Sequence, residues 1–482
     1  MVQVSSSLTL PLRAAHFITS ARVVDAGALC YLMPQSPRTM RAWADPSWSH
    51  FFSAGNAVLK TSTSTAQTPV THGDVACPFC GLLCDDLSVR IDQLQVTPLA
   101  NACPKALNAY AAAGALGQAS VNGKNTPLDQ AMRHALQLLQ KSRRPLLAGL
   151  GTDVAGLRAT LALAEKCHAM VDHLHSAGAN LNLRVLQSRG WQTTTFSEVR
   201  NRADLVVLVG VDLNSNYQNF MRRCLSPADA LQPARRAARR VVYIGPVTQA
   251  PRDAAGLPLE VIACTAAELT SNVRALQGLV AGQRLNLARG KRGTGLHALA
   301  EQIKAADYTV LVWAPGQLPA VDGDLTISAV CELVADINRT RRAAGLALGG
   351  DDGAQSAIAV SSWLTGFPSG VSFAGGQLEY APTTLNTARI VTDELADLVL
   401  FISSFSRREP PVSELPTIVM APPGFKCVTP VAVYLPVGVP GIDHAGQLVR
   451  ADGVVTLPLK QLRASALPST AELLMRLHAG LK

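Results

Sequence analysis

The chain has 482 residues and a formal net charge of +9; 48% of it is apolar and 16% is charged. That length suggests two or three domains, and the composition excludes an intrinsically disordered chain. No uninterrupted apolar stretch of about 20 residues occurs, so no spanning helix and a cytoplasmic location are expected. The basic residues fall in small groups, Arg143-Arg144, Arg222-Arg223, Arg235-Arg236 with Arg239-Arg240, and Arg341-Arg342, with no aromatic residues between them. This argues against nucleic acid and for a solvated basic face, with an acidic partner protein or an anionic cofactor as the remaining reading.

Residues 1–70 are rich in Ser, Thr, Ala and Arg; five basic residues against Asp25 and Asp45 leave the segment at +3. Such a stretch imitates an organellar transit peptide, or marks a start placed too early, with the true one at Met33, Met40 or beyond. It is excluded from the fold and expected to be poorly ordered. Leu87–Ile91 alternates like a strand, Asn101–Gly117 is Ala-rich and helical in character, and Pro127–Gln140 has helical apolar spacing. Strands are expected at Pro145–Gly149, Asp204–Gly210 and Arg240–Gly245, with a helix at Ala155–His168. The pattern then repeats: helix 295–306, strand Tyr308–Trp313, helix 325–343, and strands Leu395–Phe401 and Pro416–Met420. Strands apolar throughout, alternating with helices, imply parallel sheets covered on both faces. The expected fold is α/β: a small cysteine-bearing module at 71–120, doubly wound Rossmann-like domains at 121–250 and 251–465, and a C-terminal helix at 466–482. The strands introduced by Asp204 and Asp397 suggest a duplication of one unit.

Six of the ten cysteines are scattered: Cys30, Cys167, Cys224, Cys264, Cys331 and Cys427. These are expected to be buried free thiols. The other four, Cys77, Cys80, Cys84 and Cys103, lie within 27 residues of one another. That clustering reads as a reduced compartment and a metal site. Three thiolates spaced C-x2-C-x3-C can take three corners of one compact cofactor, and a fourth from a later turn closes it, as a [4Fe–4S] cluster requires. Two alternatives stand beside it: an empty site packed as thiols, and structural zinc, which usually draws on two paired CxxC knuckles.

At "ACPFCGLLCDDL" and "NACPKA" the chain resembles the family of formylmethanofuran dehydrogenase B subunits, within the molybdopterin oxidoreductase superfamily. The resemblance runs over about 71–465, through "SRRPLLAGLGTD", "FSEVRNRADLVVLVG", "WLTGFPSGVSFAGGQLEYAP" and "GIDHAGQLVRADGVVTLPLK". It implies a protein holding a bispterin tungsten or molybdenum centre ligated by one Cys or selenocysteine. Counted without a gap from Val171-Asp172 to Gln187 and Gly190, that ligand falls on Gly178 and the following His on Ala179. Glycine offers no ligand atom. The family's W-G-C-N-P crest is replaced by Val209-Gly210-Val211-Asp212-Leu213, the histidines beyond it by polar residues around Asn216 and Asn219, and its D-P-R turn by Gly245-Pro246-Val247. These positions sit at the carboxyl ends of strands, where an α/β sheet binds its ligand.

The resemblance is closest to the branch found in the bacterial formyltransferase/hydrolase complex. It implies a non-redox structural component, not itself catalytic, with no bispterin metal. Hydrolysis to formate would sit on an amidohydrolase-like A subunit and formyl transfer from tetrahydromethanopterin on the D subunit, alongside a C subunit. A polyglutamyl methanofuran analogue is a possible contact. The family's C-terminal β-barrel is a separate polypeptide, not expected after Lys460. The alternatives are the B subunit of an active dehydrogenase, which the cysteine loop favours and Gly178 opposes, and a relay protein keeping only an iron–sulfur cluster. His173 and His175, read as lying on a strand, are either two metal ligands or local polar packing. Gly149-Leu150-Gly151 is a weak dinucleotide signal, since Val154 stands where the third glycine belongs.

Overall fold

The structure, a computed structural model, describes residues 68–481 apart from 227–230, 232–238, 253–255 and 288–289. The proposed N-terminal extension, Cys30, Arg235 and Arg236 therefore lie outside the described residues. The chain opens with β1 (Val70–Val75), β2 (Leu87–Asp92) and β3 (Gln95–Ala100), an antiparallel sheet whose first connection carries three of the cysteines. Helix α1 (Pro104–Ala112) follows. The short β4 (Ser120–Val121) and β5 (Lys124–Asn125) lead to α2 (Leu128–Lys141), β6 (Pro145–Gly151), α3 (Val154–Lys166), β7 (Met170–Val171), α4 (Ser176–Arg189) and α5 (Phe196–Arg202).

The middle of the chain contributes β8 (Leu205–Val209), β9 (Arg240–Gly245), β10 (Leu259–Ala263), α6 (Leu269–Val280), α7 (Lys291–Ala305), β11 (Tyr308–Trp313), α8 (Gly323–Ile337) and β12 (Arg342–Ala347). Then come α9 (Ala354–Thr365), β13 (Val371–Ser372), β14 (Glu379–Tyr380), α10 (Thr387–Thr392), β15 (Leu398–Ser403), β16 (Thr417–Ala421) and β17 (Val433–Pro436). A hairpin, β18 (Gly446–Val449) and β19 (Thr456–Leu459), precedes α11 (Thr470–Gly480).

The parallel sheets are present, but their membership cuts across the expected boundary at residue 250. Five parallel strands form one sheet in the order β10-β9-β8-β11-β12. The other runs β14-β13-β7-β6-β15-β16-β17-β4-β5, parallel from β7 to β17 and antiparallel at both edges. The chain thus starts the larger sheet, leaves to build the smaller one, and returns: β6 pairs with β15, some 250 residues later. Fully apolar strands state that they are buried, not which sheet buries them.

The two expected acids do parallel work. Asp204 accepts from the backbone N–H groups of Asp307 and Tyr308 at 2.9 and 2.8 Å, where β11 begins. Asp397 accepts from the N–H groups of Arg143 and Arg144 at 2.8 and 3.1 Å, and from Ser142 Oγ, where β6 begins. Each acid secures the start of the neighbouring parallel strand. The expected helix 325–343 stops at Ile337, because the Asn338 side chain donates to the Val334 and Ala343 carbonyls and accepts from the Ala343 N–H.

The cysteine-bearing segment is not packed apart. Leu82, Leu87 and Val89 share one core with Val206, Leu208, Val310 and Val312 of the smaller sheet. The basic pairs are only partly solvated. Arg239 is 1% exposed and donates to the Ala203, Val199 and Arg200 carbonyls at 2.7, 3.0 and 3.0 Å, and to that of Leu225. It satisfies the end of α5, where helix carbonyls lack partners. Among the described residues no helix is long and apolar enough to cross a membrane.

Candidate functional site

The loop between β1 and β2 folds back on itself. Cys77 N–H donates to the Cys84 carbonyl at 2.7 Å and Leu83 N–H to that of Cys80 at 3.2 Å, with Leu83 in the left-handed region at φ 45°. Gly81 admits no side chain, because a Cβ there would stand 1.9 Å from the Gly349 carbonyl oxygen. The Gly81 carbonyl in turn accepts from Ala451 N–H at 2.8 Å. Cys103 precedes α1, with Pro104 in its first turn, where a missing N–H costs nothing.

All four thiols are free and line one narrow cavity. Cys77, Cys80 and Cys84 are buried and Cys103 is half-buried. Burial pushes the Cys77 thiol well above its ordinary range, with Cys80 and Cys84 adding to it. Cys80 and Cys84 are raised for the same first reason; Asn219 Nδ2, 3.7 Å from Cys84 Sγ, acts against the rise at Cys84. Bare, these groups hold their protons; a metal would have to displace them. Among the described residues no three His, Cys, Asp or Glu side chains are placed to hold a metal ion. Four soft donors facing one cavity remain the donor type that an iron–sulfur cluster takes.

The rim is held by charge. Arg222 and Arg223 approach Asp86 at 3.1 and 3.0 Å, and Arg223 also bonds Asp85. Lys105 Nζ lies 2.6 Å from Asp351 Oδ2. Asp352 faces Arg408 Nε at 3.2 Å and His175 Nε2 at 3.8 Å. Burial would raise the Asp352 carboxyl, yet His175 and Arg408 outweigh it and hold it at about 2. The acids come from Gly349-Gly350-Asp351-Asp352-Gly353, which sequence reasoning passed over; two acids among three glycines, after an apolar run, were the available signal.

Gly178 lies in the first turn of α4. A Cβ there would be 2.7 Å from Gly316 Cα and 2.8 Å from Gly316 N, so backbone fills the space a ligating side chain would need. The surrounding loops bond one another. Gln317 Oε1 accepts from Asp212 N–H at 2.8 Å, and its Nε2 donates to the Asp212 carbonyl at 3.2 Å. Asn214 Nδ2 donates to the Ala250 carbonyl at 2.9 Å and its Oδ1 accepts from Arg252 N–H at 3.0 Å.

His173 and His175 lie in the turn between β7 and α4, not on a strand. His173 Nδ1 accepts from the His175 N–H at 3.2 Å, and burial, then His175, pushes its pKa down to about 3. The dinucleotide signal fails locally: Asp153 Oδ1 accepts from Gly156 N–H at 3.1 Å, so the N-terminus of α3 already holds a carboxylate.

The chain is 30% identical over 336 residues to the B subunit of the formyltransferase/hydrolase complex Fhc of Methylorubrum extorquens, a match covering 68% of this chain and 87% of that protein. It is 24% identical over 426 residues to the B subunit of the tungsten-containing formylmethanofuran dehydrogenase 2 of Methanococcus maripaludis, covering 84% and 97%. In structure it is similar to a chain of the formyltransferase/hydrolase complex FhcABCD from Methylorubrum extorquens, solved with methylofuran, with a TM-score of 0.66 and 27% identity over 75% of this chain and 98% of that one. No family model matches. Sequence and fold thus agree with the cysteine, glycine and strand motifs: the chain belongs to the family of formylmethanofuran dehydrogenase B subunits, which includes the corresponding component of the formyltransferase/hydrolase complex.

Proposed function

We propose that this chain is the non-redox, architectural B subunit of a formyltransferase/hydrolase complex that releases formate from a formyl-methanofuran analogue in tetrahydromethanopterin-linked C1 oxidation. The observation that carries it is Gly178, whose absent side chain is replaced by the backbone of Gly316. On this reading a tungsten or molybdenum ion has no protein ligand there, and Gln317 and Asn214 in the loops around it are bound to the backbone of Asp212, Ala250 and Arg252. The relatives support the assembly: one is a component of a formyltransferase/hydrolase complex, and the similar structure contains four kinds of polypeptide. Hydrolysis belongs on this reading to an amidohydrolase-like A subunit and transfer to D, with C as a further partner and the polyglutamyl carrier as a ligand of the complex. The free thiols fit a cytoplasmic complex.

Cys77, Cys80, Cys84 and Cys103 are the residues that would hold a [4Fe–4S] cluster, which stores and passes single electrons; otherwise they pack as thiols. Elemental analysis of the native complex decides the main point. Tungsten and molybdenum are expected far below one per copy of this chain, and a stoichiometric amount would make it part of an active dehydrogenase instead. Iron with acid-labile sulfide in anaerobically purified complex separates a filled cysteine site from a packed one.

A further inference from the structure

Asp172 Oδ1, His173 Nε2, Ser361 Oγ and Ser369 Oγ each lack a hydrogen-bond partner among the described residues. None of these four residues is more than 7% exposed. All four line a single small cavity beneath the turn after β7, and the rest of its wall includes Leu150 of β6 and Leu157 and Leu161 of α3. Buried polar groups are almost always paired. Four unpaired ones on the lining of one cavity therefore point to a common partner.

Their chemistry defines that partner. His173 Nδ1 already accepts from the His175 N–H at 3.2 Å. Burial keeps the ring neutral, so its proton sits on Nε2 and His173 offers the cavity a donor. Asp172 Oδ2 is taken by Thr387 and Ser176, which leaves Oδ1 as an acceptor. The two serine hydroxyls can serve either way. A cation would face the Nε2 proton, and an anion would face the Asp172 oxygen. An uncharged molecule with two donors and two acceptors satisfies all four atoms. The cavity offers about 10 Å³ to the centre of such a molecule, which is room for one water and too little for a cofactor or substrate.

We propose that this cavity is the site of one buried water molecule, which donates to Asp172 Oδ1, accepts from His173 Nε2–H and joins both to Ser361 and Ser369. The water fastens three pieces of the chain together: the turn after β7, α9 and the loop before β13. That turn carries His175, which faces Asp352, and leads into α4, whose first turn holds Gly178 against Gly316. The inference does not depend on the metal content of the chain. A crystal structure of the native complex grown with a thallium(I) salt tests it. One water is expected within about 3.2 Å of at least three of the four atoms, with no thallium signal there. Thallium in the cavity, no density in it, or direct hydrogen bonds among the four side chains would overturn the proposal. Hydrogen exchange measures the fastening. In the Ser361→Ala and Ser369→Ala complexes each substitution removes one partner of the water with little change in volume. The amides of residues 172–178 are expected to exchange about fivefold faster than in the wild type, the weight of one lost hydrogen bond. Unchanged exchange in both variants would contradict the fastening role.

Discussion

Gly178 has room for hydrogen alone. Replacing it with Cys supplies the ligand type that the proposed function takes to be missing there but drives a Cβ to 2.7 Å from Gly316 Cα. Overpacking of this kind costs about 1–3 kcal/mol. The Gly178→Cys variant is expected to unfold at lower urea than the wild type and to gain no tungsten or molybdenum; an unchanged midpoint with stoichiometric metal would contradict both the packing and the functional reading.

Asp172 supplies a pH test. Its Oδ2 accepts from Thr387 N–H, Thr387 Oγ1 and Ser176 Oγ at 2.7, 2.8 and 2.9 Å. Burial, opposed by these bonds, raises its carboxyl to about 6. A carboxyl raised on folding from about 3.9 favours the fold below that unfolded value and loses the advantage as pH climbs through the folded one. The shift corresponds to about 2–3 kcal/mol. His173 titrates in the opposite sense, so the useful quantity is a difference between variants. The melting temperature of Asp172→Asn minus that of the wild type is expected to increase from about pH 4 to pH 6 and then level off. A flat difference would show that the carboxylate is not destabilised by its surroundings.

Between neighbouring elements the decisive contacts are polar clasps on apolar strands. Asp204 secures β11 and Asp397 secures β6, one in each parallel sheet. Asp→Ala at either site strips two backbone N–H groups of their acceptor, for an expected loss of about 1–3 kcal/mol. Since the clasps share no partner, the two losses are expected to add in the double variant; urea titration of the complexes measures this, and strong non-additivity would mean that the sheets unfold through a shared contact. Arg239 does comparable work at the end of α5. Arg239→Met is expected to cost more than either clasp, because it abandons four carbonyls in the core.

For the whole molecule, the cysteine loop shares a core with the smaller sheet, so its contribution to packing and any contribution to electron transfer can be separated. Cys80→Ser is expected to leave formate release by an intact complex nearly unchanged. A large loss of turnover in a complex of normal composition and melting temperature would assign the thiols a part in the reaction.

Composition and apolar runs determined that this chain is α/β with parallel strands and where its main strands lie, and its cysteine-loop and later motifs carried the resemblance to its family. These are local signals, since a strand buried on both faces is apolar throughout wherever it pairs. Only the tertiary structure decided that β6 joins β15, that the smaller sheet is built between two passes through the larger one, and that the space beside Gly178 is filled by Gly316. It alone brought Lys105, Asp351, Asp352, Arg408 and His175 together. Strand pairing and charge contacts depend on distance in space, and residues hundreds of positions apart leave no periodic trace of their meeting in the chain.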